Sequence, residues 1–387
     1  MSKLEQLVEK LCPTGVEWKK LKKCTEMKRG TSATKRTLVE GKIPVISGGK
    51  EPAFYCDSFN REGETITIAG SGASAGYVQY WNKPIYVNDA FSIKGNEKIS
   101  SRYIYHYLLN IQEEIYSTKK GGGVPHVHIS SIENFEIPIP PVQVQDEIVR
   151  ILDSFTELTA ELTAELTYRK KQYEYYRDSL LKFGNEVPRV SLGDIATIIR
   201  GGNFQKKDFA ENGIPCIHYG QIYTKYGLST TETINFINND AAKKSKFASQ
   251  NDIVMAVTSE NVEDVCKCVV WLGKEDVAIS GHTAIIKHNQ NAKFLAFYFR
   301  SAMFFKDKIK LAHGTKVIEV TPGKLANIKI PIPSIGEQER IADILDRFDT
   351  ICNDISQGLP AEIDERQKQY EYYRDKLLTF PKAKLEV

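Results

Sequence analysis

The chain has 387 residues, enough for two domains that each bury their own core, and its 41% hydrophobic and 26% charged residues are typical of a soluble globular protein. The formal net charge of +3 excludes a strong whole-molecule attraction to nucleic acid, so any nucleic-acid site must come from local clusters of Lys and Arg. The N-terminal sequence predicts a short amphipathic helix rather than a signal peptide, and no run approaches the ~18 apolar residues of a membrane span.

Seven cysteines are scattered along the chain, and none is in Cys-x-x-Cys spacing. This pattern predicts reduced thiols in a cytoplasmic protein rather than a disulfide framework or a zinc site. Cys266 and Cys268 lie two apart in a predicted strand, which places both on one face. Packing in the core is therefore favoured over metal binding for this pair.

In chain order, a first region of short predicted strands is followed by a predicted helix from Ser101 to Thr118 and a Lys-Gly loop that leads to Ile-Pro-Ile-Pro. The second region is again β-rich and has a predicted helix from Ala292 to Ile309. Its interior shares little sequence with that of the first region.

The end of each β-rich region is repeated. Residues 120–140 align without a gap with residues 313–333, so that Gly121 matches Gly314 and Val127 matches Val320. A weaker echo near the start pairs Gly30 with Gly201. Because these flanking parts are alike, they should have the same structural role, whereas the unlike interiors are where two different specificities are expected.

The longest repeat is a predicted helix. Both copies contain Ile-Leu-Asp, then Phe, and later Gln-Tyr-Glu-Tyr-Tyr-Arg-Asp, and their apolar residues recur at steps of three and four, as in a coiled-coil seam. We expect the two helices to pack against each other and form a rod, the alternative being a dimerisation coiled coil. The predicted inter-helix seam consists of Ile148, Ile151, Phe155, Leu158, Leu162, Tyr173, Tyr176, Ile341, Ile344, Phe348, Ile351, Tyr370 and Tyr373.

The two copies differ in length by about one helical turn. The first contains a tandem Thr-Ala-Glu-Leu at 159–166, and the second has one more four-residue step in an apolar ladder that includes Ile355. The second copy also contains Gly358-Leu359-Pro360. Because proline inside a helix costs about 3 kcal/mol, we predict a kink or short break near Gly358 and a new helix start at Pro360.

Together these patterns predict an α+β fold with two β-rich domains, separated by two long antiparallel helices in a pseudo-twofold internal repeat. The predicted organisation is a first domain at 1–140, a first helix at 141–183, a second domain at 184–333, a second helix at 334–380 and a tail at 381–387.

Sequence motifs give no catalytic centre. The segment Gly70-Ser71-Gly72-Ala73-Ser74-Ala75 matches G-x-G-x-x-A, but the next residues continue as a strand rather than a helix, so we interpret it as a tight turn. His126 and His128 align with Glu319 and Thr321, which argues against a metal site shared by both halves. No Gly-Lys pair is followed by Ser or Thr, as a P-loop requires, and no Asn-Pro-Pro-aromatic methylation motif occurs.

Basic side chains cluster at several places. Two clusters are at matched positions, Lys119-Lys120 and Lys310 to Lys316, and each runs from a predicted helix into a Gly-containing loop. Such loops suit phosphate contact, and neighbouring polar residues can reach base edges, so double-stranded DNA is the predicted partner. The predicted DNA-binding residues are Lys28, Arg29, Lys50, Ser71, Ser74, Lys119, Lys120, Gly121, His126, Arg200, Lys206, Lys207, Lys243, Lys310, His313 and Lys316.

The repeated segments IPIP…EIVRILDSF…RKKQYEYYRD and IPIP…QERIADILDRF…RQKQYEYYRD frame two unlike β-rich regions. In this they resemble the DNA specificity subunit of type I restriction–modification systems, and the tandem Thr-Ala-Glu-Leu resembles the IC subclass. The resemblance implies a non-catalytic subunit with two target-recognition domains that read the halves of a bipartite DNA site. It also implies helices that set the spacer between the half-sites, with the number of Thr-Ala-Glu-Leu units tracking spacer length.

The same resemblance implies that the helices dock two methyltransferase (modification) subunits, and that restriction subunits join this complex. No cofactor is expected in this chain, whereas S-adenosylmethionine, ATP and Mg are expected in the partner subunits. Two alternatives are a coiled-coil scaffold that joins two protein partners, and an enzyme acting alone, against which the absent motifs argue.

Overall fold

A computed structural model describes residues 2–354 and 357–383. The chain divides into two compact units, one formed by Met1–Glu161 with Asp364–Val387 and the other by Leu162–Ile363. Each unit therefore contains one β-rich region together with part of both copies of the repeated helical segment. None of the helices in the described residues is long and apolar enough to cross a membrane.

The first unit is built on a four-stranded antiparallel sheet of order β2-β8-β5-β6, with a three-stranded sheet β4-β3-β7 and a two-stranded sheet β1-β9. Its elements are α1 (Lys3–Leu11), β1 (Glu17–Lys20), α2 (Leu21–Cys24), β2 (Glu26–Arg29), β3 (Ile43–Ile46), β4 (Phe54–Cys56), β5 (Glu64–Ala69), β6 (Val78–Asn82), β7 (Tyr86–Val87), β8 (Ala90–Lys94), α3 (Ser101–Asn110), α4 (Gln112–Ser117), α5 (Ile129–Ile132), β9 (Glu136–Ile139) and the start of α6 (Val142–Leu180).

Strand β5 shows why this sheet lies at the centre of the unit. Ile66 and Ile68 are fully buried on one face and join a core that includes Tyr103 and Ile104 of α3. On the other face, the buried hydroxyl of Thr67 accepts a hydrogen bond of 2.9 Å from Nε1 of Trp81. Both faces are covered, which explains the nearly continuous burial of this strand.

The second unit has two five-stranded sheets, of order β11-β21-β17-β19-β14 and β12-β15-β13-β20-β16, and two-stranded sheets β10-β23 and β18-β22. After α6 its elements are β10 (Arg189–Ser191), α7 (Leu192–Ile195), β11 (Ala196–Arg200), β12 (Phe209–Ala210), β13 (Ile214–Ile217), α8 (Tyr219–Thr224), β14 (Ser229–Thr230), β15 (Asn235–Ile237), α9 (Asn239–Ala242), β16 (Lys246–Ala248), β17 (Ile253–Ala256), β18 (Thr258–Ser259), β19 (Cys268–Trp271), β20 (Val277–Ile279), β21 (Thr283–His288), α10 (Ala292–Phe299), α11 (Ala302–Leu311), β22 (Ile318–Glu319), α12 (Pro322–Ala326), β23 (Lys329–Pro331), α13 (Ile335–Asn353) and α14 (Leu359–Leu378).

The two units repeat one backbone frame, including in the interiors whose sequences differ. Arg29 pairs with Phe91 across β2 and β8, and Arg200 pairs with Ala284 across β11 and β21. Just after each arginine, the amide of a glycine donates to a carbonyl on the neighbouring chain, from Gly30 to Ala90 O at 2.8 Å and from Gly201 to Thr283 O at 2.9 Å. The parallel strand pair β3-β7 recurs as β13-β20. The structural repeat thus includes the interiors of the two units, where the sequences show little similarity.

Three predicted elements are corrected. The helix predicted at 101–118 is two helices, because the backbone leaves helical geometry at Ile111. The helix predicted at 292–309 is also two helices, because the Ser301 hydroxyl accepts a hydrogen bond from Phe304 N at 3.2 Å and caps a new helix. Cys266 precedes β19 and has a φ of 70°, so it is not in the strand with Cys268. Both cysteines are nevertheless buried in the core, as predicted, and all seven are free and buried.

The first repeated helix is continuous over 39 residues as α6, beginning and ending close to the predicted bounds. The interruption predicted near Gly358 is confirmed, because α13 ends at Asn353 and α14 begins at Leu359. Ile355 of the predicted apolar ladder and the last four residues of the predicted tail lie outside the described residues.

Within each unit, side chains from both copies of the helical repeat meet. In the first unit Phe155 of α6 stacks on Tyr373 of α14 with ring centroids 5.4 Å apart, and in the second unit Tyr176 of α6 stacks on Phe348 of α13 at 5.5 Å. Ile351 is the most exposed of the predicted seam residues, at 44%. The buried or half-buried members of the predicted seam are Ile148, Ile151, Phe155, Leu158 and Tyr370 in the first unit and Leu162, Tyr173, Ile341, Ile344 and Phe348 in the second.

Candidate nucleic-acid interface

Two loops that are far apart in sequence meet at one edge of the first unit. The amide of Val127 donates to Gly70 O at 3.0 Å, and the amide of Gly72 donates to Pro125 O at 3.0 Å. Lys120 and His126 exchange two backbone hydrogen bonds across the Lys-Gly loop, which turns at Gly121 with a φ of 108°. The glycine turn and the basic loop, which the sequence predicts separately, therefore form one surface.

A cleft of about 470 Å³ opens beside this surface. The hydroxyl of Ser71 donates to Oδ2 of Asp89, whose carboxylate is exposed on the cleft wall. Arg29, also exposed, lines the cleft and has no ion-pair partner in the described part of the chain. The lining residues are Arg29, Gly30, Ser32, Ala33, Gly70, Asn88, Asp89, Ala90, Phe91, His126, Val127, His128 and Ile129.

Other predicted residues of the first unit are not among those that line this cleft. The ammonium of Lys119 lies 4.1 Å from the ring centroid of Tyr116, and that of Lys50 lies 5.1 Å from the ring of Tyr77. Lys28 is ion-paired with Glu26 at 2.5 Å. The carbonyl of Ser74 accepts from Tyr77 N at 2.9 Å, so this residue serves the turn itself.

The second unit repeats the meeting of loops bond for bond. Val320 N donates to Val257 O at 3.0 Å, and His313 and Glu319 exchange two backbone hydrogen bonds across a loop that turns at Gly314, again with a φ of 108°. Thr258, which is buried, takes the position of Ser71, and His282, which is exposed, takes that of Asp89. Oγ1 of Thr258 and Nδ1 of His282 are 3.1 Å apart. A hydroxyl–carboxylate pair is thus replaced by a hydroxyl–imidazole pair.

The arginine at the matched position is held differently. Nη1 of Arg200 lies 2.9 Å from Oε1 of Glu319, and its Nε donates to Gly281 O at 3.2 Å. In the first unit the residue matching Glu319 is His126, which offers no carboxylate. The charge of Arg200 is therefore neutralised at close range, and that of Arg29 is not.

An aromatic and imidazole row extends this surface in the second unit. The ring centroids of His218 and Tyr219 are 4.5 Å apart, and those of Tyr219 and His282 are 4.9 Å apart. Burial lowers the pKa of His218 to about 4, and the nearby positive charge of Lys206 and the ring of His282 act in the same direction. His218 is therefore neutral at physiological pH and can accept a hydrogen bond, as it does from Gly220 N at 3.2 Å.

Three predicted basic residues lie apart from this meeting of loops. Lys243 is paired with Asp240 at 3.0 Å, and Lys310 is paired with Asp307 at 3.1 Å. Lys207 lines a separate cavity of about 270 Å³ together with Asp208 and Asp240. Lys316, by contrast, is exposed in the loop between His313 and Glu319, which is part of the meeting of loops.

Sequence reasoning missed Asp89 and Glu319 because it did not consider carboxylates, and it missed Thr258 and His282 because they lie in no motif or basic cluster. A signal was present, since the gapless alignment of the two halves places Glu319 against His126. A carboxylate can accept hydrogen bonds from base amino groups, whereas it repels phosphate. The two edges thus present different sets of donors and acceptors on the same backbone.

Comparison with known proteins agrees with this duplicated architecture. The type I restriction modification DNA specificity domain matches residues 13–168 and 185–365. The chain is 33% identical to the type I restriction enzyme EcoR124I/EcoR124II specificity subunit of Escherichia coli, over 99% of this chain and 98% of that protein. It is 26% identical to the MjaVIII specificity subunit of Methanocaldococcus jannaschii, over 79% of this chain and 76% of that protein.

Among solved structures, the crystal structure of the type I restriction–modification S subunit from M. genitalium has the same fold, with a TM-score of 0.61. The alignment covers 94% of this chain and 96% of that one at 17% identity. Because the domain match spans both halves and the similarity to the Escherichia coli subunit spans nearly the whole length, this chain belongs to the family of type I restriction–modification DNA specificity subunits.

Proposed function

We propose that this chain supplies the sequence specificity of a type I restriction–modification complex, with each β-rich unit reading one half of a bipartite double-stranded DNA site. The observation that carries the proposal is the repeated frame: two loops meet in the same way in both units, but Asp89 and His126 in one are replaced by His282 and Glu319 in the other. One frame with two sets of polar side chains suits one protein that reads two different sequences.

The chain acts as a specificity subunit rather than as an enzyme, in line with its family, so the chemistry belongs to partner subunits. We infer two modification subunits that use S-adenosylmethionine, and restriction subunits that use ATP and Mg. The complex would work in the cytoplasm, where its DNA target and its seven unpaired, buried cysteines both fit. The alternative of a scaffold that only joins two proteins finds no support among the relatives.

The repeated helical motif is a suitable docking site for two copies of one partner. The third tyrosine of Gln-Tyr-Glu-Tyr-Tyr-Arg-Asp is Tyr176 in the first copy and Tyr373 in the second. Tyr176 stacks on Phe348, and Tyr373 stacks on Phe155, each within its own unit. The position before this third tyrosine is exposed in both copies, at 68% for Tyr175 and 62% for Tyr372. Tyrosine is enriched at protein interfaces, so matched exposed tyrosines favour two equivalent contacts with modification subunits.

Helix α6 has the properties of a spacer-setting element. It begins in the first unit, ends in the second and is continuous over 39 residues, or about 58 Å at ~1.5 Å per residue. The tandem Thr-Ala-Glu-Leu lies in its middle. One such unit adds ~6 Å of helix, which exceeds the ~3.4 Å rise of a base pair.

Removing residues 163–166 tests this proposal. We expect the modification complex to prefer a spacer shorter by about one or two base pairs while both half-sites stay the same. The measurement is sequencing of methylated positions in DNA treated with the purified complex. The matched control is Thr163→Ala, which keeps the helix length and should keep the spacer. An unchanged spacer in the deletion variant would rule out a length-setting role for this helix.

A further inference from the structure

The two units differ in the electrostatic state of one matched arginine. Arg200 is paired with Glu319 at 2.9 Å, whereas Arg29 lines its cleft and is exposed, without a carboxylate partner in the described part of the chain. The acidic group on that cleft is Asp89, which is exposed and uses Oδ2 to accept from the Ser71 hydroxyl. The first unit therefore presents a free guanidinium and a fixed carboxylate on the walls of one cleft.

Resting on the proposed function, we propose that Arg29 and Asp89 together read one G·C base pair in the half-site of the first unit. The planar guanidinium donates two hydrogen bonds to O6 and N7 of guanine, and a carboxylate accepts one from the N4 amino group of cytosine. Both base edges face the major groove, where this donor and acceptor pattern distinguishes G·C from the other pairs.

A contact with the DNA backbone explains the cleft less well. An arginine that binds only phosphate gains nothing from a neighbouring carboxylate, which repels the phosphate and weakens the attraction. Asp89 is exposed on the cleft wall, and the Ser71 hydroxyl fixes its orientation. An acceptor fixed beside a donor fork is suited to a base pair, which carries groups of both kinds.

The second unit does not carry the same pair. His282 takes the position of Asp89, and the guanidinium of Arg200 is already ion-paired with Glu319. The first and second half-sites should therefore differ at the matched base pair. The G·C requirement belongs to the first unit alone.

The test uses the purified complex of this chain with its modification subunits and a DNA library with randomised half-sites. In the wild type, one half-site should require a G·C pair. Arg29→Ala should relax discrimination at that single position by about 5- to 150-fold, while the second half-site is unchanged. Arg29→Lys should retain part of the preference, because lysine also reaches guanine, and Asp89→Asn should affect the same base pair.

Lys23→Ala is the matched control, because Lys23 is an exposed basic residue of the same unit, on α2, and lies outside both the cleft lining and the predicted DNA-binding residues. It should leave every position unchanged. The second half-site reports whether the rest of the chain is intact, and Arg29→Lys decides the matter if Arg29→Ala does not fold.

The proposal is overturned if Arg29→Ala weakens all sequences equally, as loss of a phosphate contact would, or if the affected position is not G·C. A wild-type complex without any sequence preference would instead overturn the proposed function, so the two failures are distinguishable.

Discussion

The two units have the same turns and the same pairs of loops, but their side chains at matched positions differ. Ser71, Asp89 and His126 of the first unit correspond to Thr258, His282 and Glu319 of the second. The hydrogen bonds that join the loops are backbone bonds, such as Val127 N to Gly70 O and Val320 N to Val257 O. Any residue can make these bonds, so the frame places little restriction on the side chains it carries. Specificity can therefore diverge without a change of fold.

A second difference lies where each unit contacts the repeated helices. In the first unit Nε2 of the fully buried His106 donates to Asp153 at 2.7 Å, and its Nδ1 lies 3.2 Å from the hydroxyl of Tyr370. In the second unit the matching residue is Phe297, and the buried hydroxyl of Tyr173 has no hydrogen-bond partner among the described residues. The first contact is built on a buried histidine, whereas the second has an apolar ring at that position and keeps an ion pair between Lys293 and Asp346 at 2.7 Å.

The largest effect is expected at two glutamines that both units keep. Gln145 is fully buried, accepts from Ser100 N at 3.0 Å, and donates to Lys98 O and Pro140 O at 2.8 Å each. Gln338 is equally buried and accepts from Asn291 N at 3.0 Å. Replacing either by leucine should lower the free energy of unfolding of its own unit by about 3 kcal/mol, because several polar groups lose their partners.

Calorimetry and hydrogen exchange resolved by unit check this expectation, with a fall in melting temperature of about 6–12 °C. Gln143→Leu, at an exposed position on the same helix as Gln145, is the control and should have little effect. Unequal losses from Gln145→Leu and Gln338→Leu would show that the two units do not depend equally on the shared frame.

The sequence predicted the helical repeat well, because its period of three and four extends over many turns and marks α6, and because Pro360 marks the break near Gly358. It did not predict the shared frame of the interiors, since backbone hydrogen bonds leave no residue signature beyond Gly30 and Gly201. The helix predicted at 292–309 was wrong as a single element because a serine hydroxyl can start a new helix inside an apolar pattern.

For the site, the predicted Arg29 and His126 line one cleft, yet the sequence could not show that Asp89 would join them and bond to the predicted Ser71. Asp89 is distant in the chain and only the fold brings it to the Ser71 hydroxyl. Lysines such as Lys243 and Lys310 were included for their charge, whereas each is paired with an aspartate on its own helical turn. The charge of a lysine in the sequence does not show whether the folded chain pairs it with a carboxylate.

A smaller effect is expected when the first unit receives the residue of the second. His106→Phe removes a donor to Asp153 and the acceptor for Tyr370, so we expect a loss of about 1–2 kcal/mol in the free energy of unfolding at pH 7.5. Burial, the main cause, lowers the pKa of His106 despite the opposing hydrogen bond to Asp153. The unfolded state therefore binds the proton more readily, and the stability contributed by this histidine is lost as pH falls below about 6.5.

Denaturant unfolding between pH 7.5 and 5 measures this difference. The wild type should be more stable than His106→Phe at the upper end, and the gap should narrow on acidification. His128→Gln, at an exposed site, should show no such change relative to the wild type. A gap that stays constant with pH would mean that packing alone accounts for the effect of His106.

The smallest effect is expected when Glu319 is replaced by histidine, the residue of the first unit. Glu319→His removes the carboxylate 2.9 Å from Arg200 and leaves that guanidinium free, as Arg29 is. We expect the second half-site to gain a preference of about fivefold for guanine at one position, at the low end for one such contact, because His282 cannot act as the carboxylate does in the first unit.

Randomised half-site libraries treated with the modification complex measure this gain. Glu260→His, at an exposed position after β18, is the control for charge alone. It should strengthen binding to all sequences slightly and increase the salt dependence, since loss of a negative charge reduces repulsion of phosphates without regard to sequence. If Glu319→His does only the same, pairing of the arginine is not what separates the two units, and their specificities must differ through other side chains on the shared frame.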